Sequence, residues 1–254
     1  MKRGCCVLAR TRIRRAGCPG STAGRMPAAT IEPTTSGCTT AFTLVELLVV
    51  IGILALLGCL VLPTLNKAKA KSQNAICLNN LRQWGLAAHL HAAEHDDLLC
   101  DEGAPSPGLR SVTRGWYVSL PLMLGLPSYH AMPWRTNALL NPGSSLFICP
   151  SNSRRATNNN LFHYCLNEHI DGTGAEDRPT KVSSIGCPGQ AVYLFDNGKR
   201  AAVAQYNNVH TNLHDRGAQF LFVDGHVARF RNVEYWDFVM DRGKTNNPAL
   251  VWFP

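Results

Sequence analysis

From Phe42 to Leu62 the chain runs for 21 residues with a single charged side chain, Glu46. At roughly 1.5 Å per residue a helix of that length reaches about 30 Å, the thickness of a bilayer's hydrocarbon core. Such a run either crosses a membrane or is buried on all sides inside a soluble protein. The surrounding charge favours the membrane. Seven basic residues (Lys2, Arg3, Arg10, Arg12, Arg14, Arg15 and Arg25) precede it against one acid, Glu32, and Lys67, Lys69 and Lys71 follow. An excess of Lys and Arg in front predicts a cytoplasmic N-terminus and an exported C-terminal body.

The formal charge of +8 suggests a nucleic-acid partner until its location is considered. Without residues 1–41 the chain keeps 18 basic and 16 acidic residues, a net of +2. A nearly neutral body does not neutralise phosphates along a surface, so no nucleic acid is expected. Residues 1–41 mix Arg, Gly, Pro, Ser and Thr without apolar periodicity and read as a disordered leader removed on processing. Met26 offers a second start, with the shorter leader MPAATIEPTTSGCTTA.

Beyond Pro63, Leu78, Leu81, Gly85, Ala88 and Ala92 recur every three or four residues, the spacing of an amphipathic helix. One helix is therefore expected from about Phe42 to His95: residues 42–62 in the membrane, 63–95 as its amphipathic continuation, with a kink where Pro63 lacks a backbone donor. Residues 96–254 form the globular body. Its β-type runs are LFIC (146–149), AVYLFD (191–196), AQFLFV (218–223) and HVARF (226–230). Asp224-Gly225 between the last two signals a hairpin. The fold class is α+β, a long helix packed on a small antiparallel sheet. Cys77, Cys100, Cys149, Cys165 and Cys187 make an odd set. They allow up to two disulfides with undetermined connectivity, or buried thiols throughout.

Glu46 demands an explanation, because an acid inside such a span costs about 2.5–3.5 kcal/mol at mid-helix and less near an end. Cleavage before Phe42 would create an α-amino group one helical turn away, able to neutralise Glu46 on the same or a neighbouring helix. The segment A-FTLVELLVVIGILALL resembles the N-terminal cleavage and methylation segment of type IV pilins and type II secretion pseudopilins. That resemblance implies cleavage by a prepilin peptidase after Ala41, N-methylation of Phe42, an assembly role for Glu46 and a helix-kinking role for Pro63. The family usually carries Gly where Ala41 stands. CLNNLRQWGLAAHLHAAEHDD, FICPSN, AVYLFDNG and HDRGAQFLFVDGHVARF are similar to pilin-like proteins with a C-terminal H-x9-DG element. Here that element is His214, nine intervening residues, then Asp224-Gly225.

Other motifs compete. HAAEH fits the inverted zinc-protease pattern, with His91 and His95 as ligands on one helix face, Glu94 as general base and Glu168 as a third ligand. A polar helix end supplies the same residues without a metal. His210, His214, Asp224 and His226 lie around the hairpin, where a His214–Asp224 hydrogen bond tying a loop to the turn is the expected role and a metal site the rival. Asp171-Gly-Thr-Gly with Glu176-Asp177 carries calcium-type oxygens without EF-hand spacing. LLGC, ending at Cys59, resembles a lipoprotein cleavage box, although Glu46 interrupts the apolar region before it and apolar residues continue after it.

No nucleophile motif or phosphate loop is present, and nothing argues for catalysis or a cofactor. The reading is a structural subunit of a pilus or pseudopilus. Its expected partners are a prepilin peptidase and methyltransferase, other pilin-type subunits and the inner membrane. A membrane-tethered zinc hydrolase and a lipid-anchored binding module are the alternatives.

Overall fold

The computed structural model describes residues 43–101, 103, 115–157, 160–170, 180–199 and 201–254. Its contacts divide the chain into a unit ending at Ile51 and a unit from Gly52 to Pro254.

In the first unit the described residues open helix α1 (Leu44–Glu94). Thr43 and Glu46 close a capping box: Glu46 N–H donates to Thr43 Oγ1 at 3.2 Å, and Thr43 N–H donates to Glu46 Oε2 at 2.9 Å. Unpaired amides at a helix start are satisfied by this reciprocal pair, which T-x-x-E spells in sequence.

In the second unit α1 continues unbroken through Pro63, where the Thr64 hydroxyl donates to the Val61 carbonyl at 2.8 Å. Its apolar side chains as far as Leu65 are exposed. Burial begins at Cys77 and follows helical spacing through Asn80, Leu81, Trp84, Gly85, Ala88, His91 and Ala92. Leu81, Gly85, Ala88 and Ala92 of the expected stripe are buried and Leu78 is half-buried. The helix stops where Asp96 and Asp97 turn left-handed (φ 53° and 67°), Asp97 N–H reaching back to the Ala92 carbonyl at 2.9 Å.

The main sheet orders its strands β3 (Val203–Ala204), β1 (Tyr164–Asn167), β2 (Val192–Asp196), β4 (Gly217–Phe222), β5 (Val227–Arg231). β1–β2, β2–β4 and β4–β5 are antiparallel. β3 runs parallel to β1, so the sheet is mixed rather than purely antiparallel as expected. The α+β layout stands. β1, β2 and β4 are buried along their whole length because both faces are covered, which erases the alternation a half-exposed strand would show. Tyr164, Leu166, Tyr193 and Leu221 join Trp84 of α1 in one core. Cys165, Val192, Phe220 and Phe222 join Tyr235, Leu250 and Trp252 in the other. Helix α2 (Trp116–Met123), the short helix α3 (Asn232–Tyr235) and a hairpin of β6 (Trp236–Asp237) with β7 (Arg242–Gly243) complete the body.

Three of the four expected runs are strands, and LFIC is not. Leu146 to Cys149 is buried in irregular structure because α1 claims its carbonyls: Asn80 Nδ2 donates to Ile148 O at 2.9 Å and Trp84 Nε1 to Leu146 O at 3.2 Å. Its burial matches a strand's, but its hydrogen bonds go to side chains and local turns rather than to a neighbouring strand.

Candidate functional site

The H-x9-DG element acts along α1. β4 spans its middle, about 20 Å for six residues at ~3.3 Å each. The two ends of the element meet α1 at Asn74 and at Gly85 with His89, about 16–22 Å apart at 1.5 Å per residue. At the first end His214 Nδ1 lies 2.6 Å from Asn74 Oδ1, and Gln219 Nε2 donates to Asn74 O at 3.1 Å. At the second, a Cβ built on Gly225 would fall 2.9 Å from His89 Nε2, and one on Gly85 would fall 2.8 Å from Leu221 Cδ1. Gly225 also sits at φ +88°, a conformation open to glycine. The DG pair is thus needed both for the turn and for close approach to the helix.

The His214 end is a sealed polar pocket. His214 Nε2 lies 3.0 Å from Asp196 Oδ2, and the two side chains have no solvent exposure. Asp196 Oδ2 also accepts the Gln219 N–H at 2.7 Å, while Asp196 Oδ1 is buried without a hydrogen-bond partner. The Cys77–Cys149 disulfide joins α1 to the 146–151 loop, with Cys149 Sγ 3.5 Å from His214 Nε2. His163 lies behind it. Cys149 N–H donates to His163 Nδ1 at 3.1 Å, and His163 Nε2 faces the Arg154 carbonyl at 3.1 Å. Burial pushes the His163 imidazole down to about 4, because the charged ring would lose its hydration.

Backbone geometry delivers His214 into this pocket. His214, Asp215 and Arg216 are three consecutive left-handed residues (φ 49°, 61° and 60°). Outside glycine that conformation costs about 1–2 kcal/mol per residue, so the turn must be held from elsewhere. Arg229 on β5 holds it, its guanidinium donating to the His214 and Asp215 carbonyls.

The expected His214–Asp224 hydrogen bond does not form, because the extended β4 holds the two apart. Asp224 instead accepts from its neighbour His226, at 3.0 Å from the backbone N–H and 2.6 Å from Nδ1. His210 donates its backbone N–H to Asp196 O at 2.9 Å. His91 and His95 stack at 4.0 Å between ring centroids, with His95 Nδ1 at 2.9 Å from the His91 carbonyl and His91 Nδ1 at 3.3 Å from Leu98 O. Glu94 is exposed, and Glu168 binds Gln205 and faces His169. His91, His95 and Glu168 do not gather into a three-ligand group among the described residues. Cys59 is an exposed thiol, as is Cys187, whereas Cys165 is buried and burial pushes Cys100 up to about 12. Ala41, Phe42, Asp171, Glu176 and Asp177 lie outside the described residues.

Sequence reasoning missed Asp196, Asn74 and His163. A carboxylate closing the apolar strand VYLFD was the available signal, since an acid is buried only with partners. The chain matches no protein-family profile, no curated protein and no solved structure.

Proposed function

We propose that the chain is a membrane-anchored subunit of a pilin-like filament, made as a precursor, cut between Ala41 and Phe42 and N-methylated on Phe42. The observation that carries this reading is the first part of α1. Residues 44–65 present exposed apolar side chains on every side of a helix long and apolar enough to cross a membrane. In water such a surface would drive aggregation, so it belongs in lipid or against copies of itself. The N-terminal resemblance favours both in turn: residence in the inner membrane, then lateral packing of these helices in a pilus or pseudopilus. Glu46 sits at the start of that surface, where the α-ammonium of a neighbouring processed subunit would neutralise it.

The test is the mass and N-terminal sequence of the mature protein. A chain beginning at N-methyl-Phe42 is expected. A mature chain beginning at a lipid-modified Cys59, or one left uncut, would overturn the reading.

A further inference from the structure

The His214 pocket holds more ligand chemistry than a structural hydrogen bond needs. Cys77 Sγ, Cys149 Sγ and a ring nitrogen of His214 lie within 4.8 Å of one another, and all three residues are buried. The carboxylate of Asp196 adjoins the same ring nitrogen, and its Oδ1 has no hydrogen-bond partner although Asp196 is 0% exposed. A buried carboxylate oxygen without a partner is costly, and a cation is one way to satisfy it. Two sulfurs, one imidazole nitrogen and one carboxylate oxygen are donors that zinc accepts in tetrahedral sites.

We propose that reducing the Cys77–Cys149 bond converts this pocket into a site for a zinc-type divalent ion, bound by both thiolates and His214 Nε2, with the Asp196 carboxylate, outside that 4.8 Å group but 3.0 Å from Nε2, moving in as the fourth ligand. The chemistry balances. A dithiol reductant gives two electrons and two protons to the disulfide, forming two thiols and becoming a disulfide itself. The ion then displaces the two thiol protons to solvent and binds the thiolates. At about 2.3 Å per metal–sulfur bond, tetrahedral coordination holds the two sulfurs about 3.8 Å apart, so the ion replaces the covalent bond and keeps the same two segments joined. Asn74 Oδ1 at His214 Nδ1 orients the ring with Nε2 toward the donors, the second-shell arrangement that metal-binding histidines use. Under oxidising conditions α1 is tied to the 146–151 loop by a disulfide, and under reducing conditions by the ion. This inference concerns the body alone and is independent of the cleavage at Phe42.

The test uses the full chain in detergent, reduced with a water-soluble phosphine in moderate urea and returned to buffer with Co2+. The phosphine becomes its oxide, taking oxygen from water as the disulfide becomes two thiols. One Co2+ per chain is expected, with intense thiolate-to-metal absorption in the near ultraviolet, tetrahedral bands in the visible and displacement by one equivalent of Zn2+. The untreated disulfide form should show none of these signals. Cys149→Ser and His214→Ala should each weaken Co2+ binding at least tenfold, and Cys187→Ser should leave it unchanged. Absence of stoichiometric uptake by the reduced wild-type chain would overturn the proposal. So would undiminished charge-transfer absorption in Cys149→Ser, which would place the ion on other thiols. The comparison of oxidised and reduced wild-type chains decides the matter even if a variant fails to fold.

Discussion

His214 Nε2 lies 3.0 Å from Asp196 Oδ2, and neither side chain touches solvent. The pair joins the turn before β4 to the end of β2, and His214 carries the link on to Asn74 of α1. Three elements meet through one imidazole.

Removing either partner leaves a polar atom of the other buried without that hydrogen bond, which costs about 1–3 kcal/mol. His214→Ala and Asp196→Ala are each expected to lower the body's unfolding free energy, read from urea melts, by that amount. The double variant should lose clearly less than the sum of the two. Additive losses would show that the two side chains act separately.

Gly225→Ala meets two obstacles, the left-handed φ of +88° and the His89 ring 2.9 Å from the new Cβ. The backbone part alone is about 1–2 kcal/mol. Adding His89→Ala should recover the steric part and leave the backbone part. Thermal melts of the wild type, Gly225→Ala, His89→Ala and the double variant separate them. Full recovery in the double variant would mean that the turn itself does not require glycine.

His163 makes the body acid-sensitive in a defined window. Burial holds it neutral down to about 4 in the folded chain, whereas the unfolded ring protonates near 6.5. Between those values the unfolded state binds the extra proton, so stability falls as pH drops from about 6.5 and this contribution levels off below about 4. The full effect is about 3 kcal/mol. Urea melts between these pH values should show the slope, and His163→Gln should flatten it.

Glu46 closes the helix cap and, on the proposed reading, also pairs with a neighbouring subunit, and two substitutions separate these. Its carboxylate closes the capping box with Thr43, and its charge would pair with a neighbour's ammonium. Glu46→Gln keeps an acceptor for the Thr43 N–H and removes the charge, whereas Thr43→Ala keeps the charge and weakens the cap by about 1 kcal/mol. Pairing predicts that Glu46→Gln inserts in the membrane but is excluded from filaments, and that Thr43→Ala is incorporated. The reverse pattern, read by immunoblotting sheared filaments and membranes, would assign Glu46 to the cap alone.

Where the physics is local, the sequence was a good guide. The apolar run, the helical spacing from Leu81 to Ala92, the strands around VYLFD and QFLF, and the Asp224-Gly225 turn all follow from periodicity and turn chemistry. The capping box is equally local, but its T-x-x-E pattern is masked because Glu46 stands out first as the one charge in an apolar run. LFIC misled because an apolar run reports burial and not where its carbonyls bond. The pocket was illegible for a different reason: Asn74, Cys149, Asp196 and His214 are brought together only by tertiary packing. The short-range choice of Asp224 as partner for His214 failed because strand β4 lies between them.

The Cys77–Cys149 bond has a mechanical consequence. Cys77 is the first residue of α1 to be buried, so tension travelling down the helix from residues 52–65 meets a covalent cross-link before it reaches the apolar contacts of Leu81 and Trp84. The load divides there. Part passes into the 146–151 loop through sulfur, and the rest continues along the helix to Gly85 and His89, where β4 and its turn resist by shear. Pulled from that end, the body would yield as a clasped unit, and peeling α1 away from the sheet would first require breaking the clasp.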